Sequence, residues 1–380
     1  MDAKNFSLFA WAVFNLINSI TGSGVLGLAY AASLSGVALI TAIMIAVSML
    51  VACTFYVLTK VHFVKYKSAL TLDDIVTNSM GRVAGALAKL TILLQSLASV
   101  ASYLKILWDD ADILTHNPIA NYVIVGVVGA LVWGLSCMPY MRFLGPAALM
   151  SFCCVVYYIA AVCVHWGGTW HTTAHTAPPG VGGLLAIPIV LFAMTGHLGV
   201  IQSCEDLDSL RKRMAACCIA SAVTGFMYMA VAWAGYLTFG MNVEGNIFRS
   251  FSRVDAPAYI YGARITTLIS VILTIPPTIV PLKACLLTYV TRPNIFWHMG
   301  FAFALLIGSA AITIAAGSLT IIFSATGGFV SPLLILVWPC LLYYKELAKS
   351  RCAKVVAILL AGCGCVCSLA FTGLVIVGEL

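Results

Sequence analysis

Charge is what this sequence has least of. Only 9% of its 380 residues are Asp, Glu, Lys or Arg, while 62% are hydrophobic, against about 25% charged in an ordinary soluble domain. Too few polar side chains exist to cover a water-soluble globule. Mean hydropathy is +1.04, which places the chain among membrane proteins. Polar linkers and low-complexity segments are missing too, and the longest loop runs over about residues 59–83. The chain holds 20 Lys+Arg against 13 Asp+Glu, a net +7, but the charges sit in short islands between apolar runs. That is no nucleic-acid footprint. Nor does a nucleotide-phosphate loop or a nucleophile elbow appear, so ATP drive and hydrolase chemistry lack support and no enzyme is expected.

Cysteine is plentiful, with 14 residues, yet a disulfide scaffold is absent. Cys53, Cys153, Cys154, Cys163, Cys217, Cys218, Cys340, Cys363, Cys365 and Cys367 all fall in apolar stretches, where a thiol behaves as a small hydrophobe. Ala29-Tyr30-Ala31 imitates a signal-peptidase site, but the start is barely basic and the apolar stretch contains Asn15, Asn18 and Thr21. This segment reads as a retained first span.

A helical span needs about 20 apolar residues, and the runs give about eleven: 7–32, 35–58, 84–107, 119–138, 146–166, 183–204, 215–239, 258–281, 297–316, 318–343 and 354–377. One set of loops and flanks carries Lys4, Lys60, Lys65, Lys67, Arg82, Lys89, Arg142, Arg211, Lys212, Arg213, Lys283, Arg292, Lys345, Lys349, Arg351 and Lys354. The other carries only Lys105, Arg249, Arg253 and Arg264. This bias puts the N-terminus in the cytoplasm, and an odd span count puts the C-terminus opposite. A missed helix would flip the bias downstream, and no flip occurs.

Two spans are interrupted near their middles. The first carries Asn15-Leu-Ile-Asn18-Ser19-Ile-Thr21-Gly22-Ser23-Gly24, and the sixth carries Met194-Thr195-Gly196-His197-Leu198-Gly199 with Pro188 upstream. Broken backbone at membrane depth is tolerated only where it lines a cavity or is buried in protein. The alternative, glycines that mediate close helix packing, explains either site alone but not their matching positions. Each opens a block of five spans, about 7–166 and 183–343. The odd number per block makes the second enter from the opposite face, so the repeat is inverted. Paired interruptions in inverted halves point to a transporter's substrate site. Half-helix N-termini suit a carboxylate, and exposed carbonyls with Asn and Thr oxygens suit a small hard cation. A free amino acid fits this arrangement, as do other small solutes.

The run from Phe14 to Ala31, containing Asn18-Ser19-Ile20-Thr21-Gly22-Ser23-Gly24, closely resembles the first-span signature of the amino acid/auxin permease family, nearest its sodium-coupled neutral amino acid (system A/N) branch. Ala101-Ser102-Tyr103-Leu104, Phe192 through His197 with Glu205-Asp206-Leu207, Gly235 through Gly240, Pro276, Pro281-Leu-Lys283, and Gly327-Gly328 through Pro339 to Tyr344 follow in order. The similarity covers nearly the whole chain. It implies an all-α polytopic membrane protein with a LeuT-like fold: five plus five inverted repeats and an eleventh helix at about 354–377, one transporter domain over 1–380. It also implies that Asn18, Thr21, Ser270 and Thr274 line a sodium site, the last two on one helical face. Thr21, Gly22, Ser23 and Gly24 would hold the substrate, with Met194, Thr195 and His197 facing it. The chain departs from the family at Gly196, where a cysteine is usual, and at Lys283, where an arginine is. The loop before the sixth span lacks the relatives' paired cysteines, and the cytoplasmic tail is nearly absent.

Other residues have blander readings. Arg264, Lys89 and Lys105 sit at span ends, where long basic side chains snorkel. His197 lies in a break and reads as cavity-facing and capable of conferring pH sensitivity. His171 and His175 are four apart, but among Gly, Thr and Pro no zinc-binding helix is expected. Asp109, Asp110 and Asp112 read as a solvated acidic patch, and the span cores offer no carboxylate for a proton relay. The expectation is a multi-pass secondary transporter of small neutral amino acids, coupled to Na+ and without cofactor or nucleic-acid partner, in the plasma membrane or a vacuolar/lysosomal one. The rivals are a proton-coupled relative of vacuolar or lysosomal membranes and a non-transporting amino-acid sensor, against which the short tail argues.

Overall fold

The computed structural model describes residues 3–69, 71–137, 144–168, 181–252, 256–287, 290, 292 and 294–378. Every regular element among them is helical. The first half holds α1 (Ala3–Ile20), α2 (Leu28–Lys65), α3 (Leu72–Met80), α4 (Arg82–Thr115), α5 (Pro118–Cys137) and α6 (Leu144–Gly168). Then come α7 (Ala186–Ala193), α8 (Val200–Cys204), α9 (Leu210–Phe239), α10 (Ile247–Ser252) and α11 (Ala258–Leu287). The last are α12 (Ile295–Ala316), α13 (Leu319–Pro332), α14 (Trp338–Leu342) and α15 (Arg351–Gly378). A 3-10 segment, Ser23–Gly27, leads directly into α2, and π turns at Leu333–Val337 and Tyr343–Leu347 flank α14.

Among the described residues, nine helices are long and apolar enough to cross a membrane. Two further apolar helices are shorter, Phe6–Ile20 and Gly183–Ala193. These are the two stretches the sequence marks as interrupted, and the interruption is why they fall short. The division expected between the first two spans falls inside α2, where the chain kinks at Gly36 (φ 75°, ψ 168°). Only glycine adopts that backbone readily. Helix starts follow capping chemistry: Ser209, Asn294 and Ser318 accept hydrogen bonds from the amides of Lys212, Trp297 and Ile321. His171, His175, Arg142 and Arg253 lie outside the described residues.

Two packed groups and a set of flanking helices make up the bundle. α2 and α9 pack along each other and hold α1 and α7, whereas α4 packs with α5, α11 and α12. α6 leans on α11 and α9, and α13 joins α7, α4 and α15. Large apolar side chains point outward on α12 and α15, among them Phe303, Ile314, Val366 and Leu369. Outward apolar faces of this extent suit lipid contact.

The sequence reads as a loop where α3 forms. Thr71 accepts from the Asp74 amide, and Asp73 and Asp74 occupy the first turn, the arrangement that favours a helix start. The final π turn tethers both sides of it: Tyr66, just after α2, donates to Glu346 at 2.9 Å, and Ser79, at the far end of α3, donates to the same carboxylate oxygen. Burial, with the Glu346 carboxylate beside it, holds the Tyr66 phenol above its ordinary range, so it remains a donor.

Close approach of α7 to α13 depends on one glycine. A Cβ on Gly327 would lie 1.8 Å from the Pro188 carbonyl oxygen, a backbone atom that cannot swing aside. A Gly327→Ala substitution is expected to destabilise the protein by about 1–3 kcal/mol, the usual cost of overpacking. Gly300→Ala, where nothing lies within 4 Å, should leave stability unchanged or slightly raised. Thermal melting of the purified protein in detergent checks both.

Candidate functional site

The two interruptions meet. Ser19 at the end of α1 donates to the Gly196 carbonyl at 2.9 Å, and a Cβ on Gly196 would meet Ile20 backbone at 3.1 Å. Gly24 sits against Ala193, where a Cβ would lie 2.5 Å from the Ala193 Cα. The exposed backbone of the first break is satisfied from α9: Tyr228 donates to the Ile20 carbonyl at 3.0 Å and accepts from the Gly22 amide at 3.4 Å. Ser23 shares a short hydrogen bond with Ser102 of α4. Nothing in the local sequence announces Tyr228 as the partner of a gap about 200 residues away.

Around this junction lies a cavity of about 400 Å³, within the range of small-molecule sites. Gly22, Ser23 and Gly24 line it from the first break, and Thr195, Gly196 and Gly199 from the second. Gln95, Ser96, Ser99 and Tyr103 face it from α4, and Thr274 and Thr278 from α11. The Ser23–Gly27 segment begins at this wall; the first amides of a helix have no intrahelical partner, and that of Ser23 is met by the Tyr103 hydroxyl. Asp73 at the start of α3 is the one charged side chain among the lining residues.

The cavity is one-sided. On α4 the lining stops at Tyr103, and on α11 it begins at Thr274 and continues to Leu282. Gln202 and Ser203 of α8 and Thr71 to Asp73 complete a path toward the Lys/Arg-rich face. At the opposite end Asp109, 1% exposed, accepts from Arg249 at 2.8 Å and from Asn246 at 3.3 Å, and pairs with Lys105 at 3.2 Å. Arg264, 4% exposed, donates to the Phe248 carbonyl at 3.0 Å. Asp110 is also 1% exposed. The reading of Lys105 and Arg264 as snorkelling ends, and of Asp109 and Asp110 as part of a solvated patch, is therefore corrected, while Asp112 stays exposed to solvent. They form a buried seal, because α10 folds over the end of α4 and excludes water.

The expected cation residues are partly assembled. Asn18, Thr21 and Thr274 line the cavity. Ser270 lies behind it, beside a small void that Gly22, Ser23 and Thr274 also border. A third hydroxyl joins them: Ser151 of α6 bonds Ser270 at 2.7 Å and Thr274 at 2.9 Å. Thr274 also donates to the Ser270 carbonyl and Thr21 to that of Ile17. These are hard oxygen donors of the kind alkali and alkaline-earth ions accept.

Thr195 lines the cavity, but Met194 and His197 do not. Met194 is fully buried at the end of α7. His197 is fully buried against α2, sharing a hydrogen bond with Thr54 at 2.9 Å and stacking edge-on to Phe55 at 4.7 Å. The turn between α7 and α8 rotates the two residues outward while Thr195 and Gly196 face in.

A cavity built on two broken helices within a bundle of membrane-length helices defines a multi-pass membrane transporter. Residues 9–378 match the family model described as transmembrane amino acid transporter protein, and the chain belongs to that family. It is 25% identical over 390 aligned positions to a sodium-coupled neutral amino acid symporter 2 of Danio rerio, covering 91% of this chain and 77% of that protein. In fold it is similar to a manganese transporter of Eremococcus coleocola: TM-score 0.66 at 13% identity, covering all of this chain and 89% of the other. A histidine-to-alanine mutant of that transporter superposes with TM-score 0.59 at 13% identity, over 97% of this chain and 87% of that one.

Tyr228→Phe removes the hydroxyl that serves the first break. The buried Ile20 carbonyl then lacks its donor, a loss of about 1–3 kcal/mol. The substitution is expected to lower the melting midpoint and to weaken solute binding several-fold, read by thermal-shift titration with neutral amino acids.

Proposed function

We infer that this transporter carries small neutral amino acids together with Na+, exposing one central site alternately to either side of the membrane. The observation that carries this reading is the cavity at the joined breaks. It offers the opened backbone at Gly22, Ser23 and Gly24 for a carboxylate, neutral polar side chains around it, and no basic side chain among its lining residues. A zwitterion brings its own balanced charges, so backbone dipoles suffice to hold it. An acidic substrate would need a cation that the lining lacks.

The sodium-coupled relative supports Na+ as the partner ion, and the oxygen cluster of Asn18, Thr21, Ser270 and Thr274 is its proposed seat. Ser151 steadies the last two. Ion and solute would occupy adjoining space, so binding one orders the break that holds the other. In this reading the chain is a single domain of two inverted five-span repeats and an eleventh helix, with the Lys/Arg-rich face cytoplasmic. The geometry described is then the inward-facing state. Arg249, Asp109 and Arg264 shut the outer side while the α3 end stays open.

Proteoliposomes with imposed sodium and proton gradients test this directly. Labelled alanine or glutamine should accumulate only under the sodium gradient, and choline in place of Na+ at fixed pH should abolish uptake. Thr274→Ala should raise the half-saturating Na+ concentration about tenfold or more, the loss of one charge-bearing contact. Uptake driven by protons alone, or saturable binding without accumulation, would overturn the coupling or the transport itself.

A further inference from the structure

The outer seal contains one group that its ion pairs do not use. Asp109 is saturated by Arg249, Lys105 and Asn246. Its neighbour Asp110 is just as buried, yet neither carboxylate oxygen has a hydrogen-bond partner among the described residues. Arg264 mirrors it across the seal: buried, with Nε unpartnered, and spending its other bonds on the Phe248 carbonyl and the Tyr261 ring. Neither Arg264 nor Arg249 makes an ion pair with Asp110: Arg249 is held by Asp109 and Asp112, and Arg264 by the Phe248 carbonyl. Two opposite charges so placed would ordinarily close on each other, because an ionised carboxylate buried without hydrogen bonds is severely penalised.

The elements packed around Asp110 bring its carboxylate no hydrogen-bond donor among the described residues. Lys105, Asp109 and Asp112 share α4; Arg249 is on α10 with Glu244 before it; Tyr259, Tyr261 and Arg264 are on α11. α5 adds Tyr122, and α6 adds Tyr158 and His165. The Tyr158 hydroxyl is itself buried without a partner, and His165 bonds Tyr259. Lys105 and Arg249 are already committed to Asp109, with Arg249 also 3.4 Å from Asp112. Among the described residues, no cation is left in contact with Asp110.

We propose that Asp110 is a proton-binding site: it holds a proton while the outer seal is closed, and gives it to the outer solution when the seal opens and Arg264 becomes its partner. The proton travels without any other chemical change. By linkage, a proton bound more tightly in the closed state favours closure. Acidifying the outer solution therefore holds the seal shut, and raising its pH releases it. Asp110→Asn, an imitation of the protonated form, keeps the seal closed regardless of pH.

The purified full-length protein tests this without reference to transport. At neutral pH, infrared spectra should show the carbonyl stretch of a buried carboxylic acid, shifted by 13C-aspartate labelling and missing from Asp110→Asn. Because that substitution replaces a neutral group, its melting midpoint should match the wild type. Asp109→Asn, which strands Arg249 and Lys105, should lower the midpoint by several degrees. Equal losses for both variants, or no acid band that Asp110→Asn removes, would overturn the proposal. So would a Na+-dependent gain in midpoint that vanishes in Asp110→Asn, which would make the site a cation's. If the variant fails to fold, titrating the wild-type band with pH decides alone. In proteoliposomes, where the outcome also rests on the transport reading, the outer-pH dependence of uptake should flatten in Asp110→Asn. A flat wild-type uptake profile with the infrared band intact would count against the transport reading and leave the proton site standing.

Discussion

The structure depends on a contact between two pieces of broken backbone. Inside a bilayer an unpaired amide or carbonyl costs several kcal/mol, so neither interruption could survive alone. Each covers the other: Ser19 reaches the Gly196 carbonyl, Gly24 sits on Ala193, and Tyr228 fills the gap at Gly22. The glycines are there because the two chains approach more closely than any Cβ would permit. The cavity is what remains where this mutual coverage stops.

From that junction follows the division of labour along the long axis. The cavity is hydroxyl-rich, with Asp73 its one charged lining residue, and the buried ion pairs at the far end join Lys105 and Arg249 to Asp109. Buried charge makes a seal that is rigid when every partner is present and costly when one is missing. Opening would concentrate its energetic cost in a few residues at one end.

Much of this was legible in the sequence. Low charge and apolar runs identified a helical membrane protein, and the paired Gly-Ser-Gly and Thr-Gly-His-Leu-Gly stretches located the cavity. The stripe Gln95, Ser96, Ser99, Ser102 and Tyr103 on the third span repeats at helical spacing, and it could have been read as cavity-facing. Thr71 before two aspartates likewise announced α3. What local pattern could not supply was direction and depth. Met194 and His197 lie in a break just as Thr195 does, and only the turn between α7 and α8 decides which of them faces in. The acids at 109 and 110 look like a loop because nothing in their neighbourhood shows that α10, about 140 residues later, will cover them. Ser151 and Tyr228 are polar residues in largely apolar helices, with partners fixed by packing alone.

The last helix is attached along a single seam. α15 meets the rest of the chain chiefly through α13, α14 and the π turn between them, with Ser368 donating to the Phe329 carbonyl and Gly364 close against Leu336. Its other faces are apolar and turned outward. Such a helix tilts with the thickness of the bilayer around it. It also touches the second π turn, Tyr343–Leu347, which carries Glu346, the anchor of α3 at the cavity mouth. Lipid composition thus has a mechanical line to the α3 end of the cavity, and the same sequence should work at different rates in thick and thin membranes.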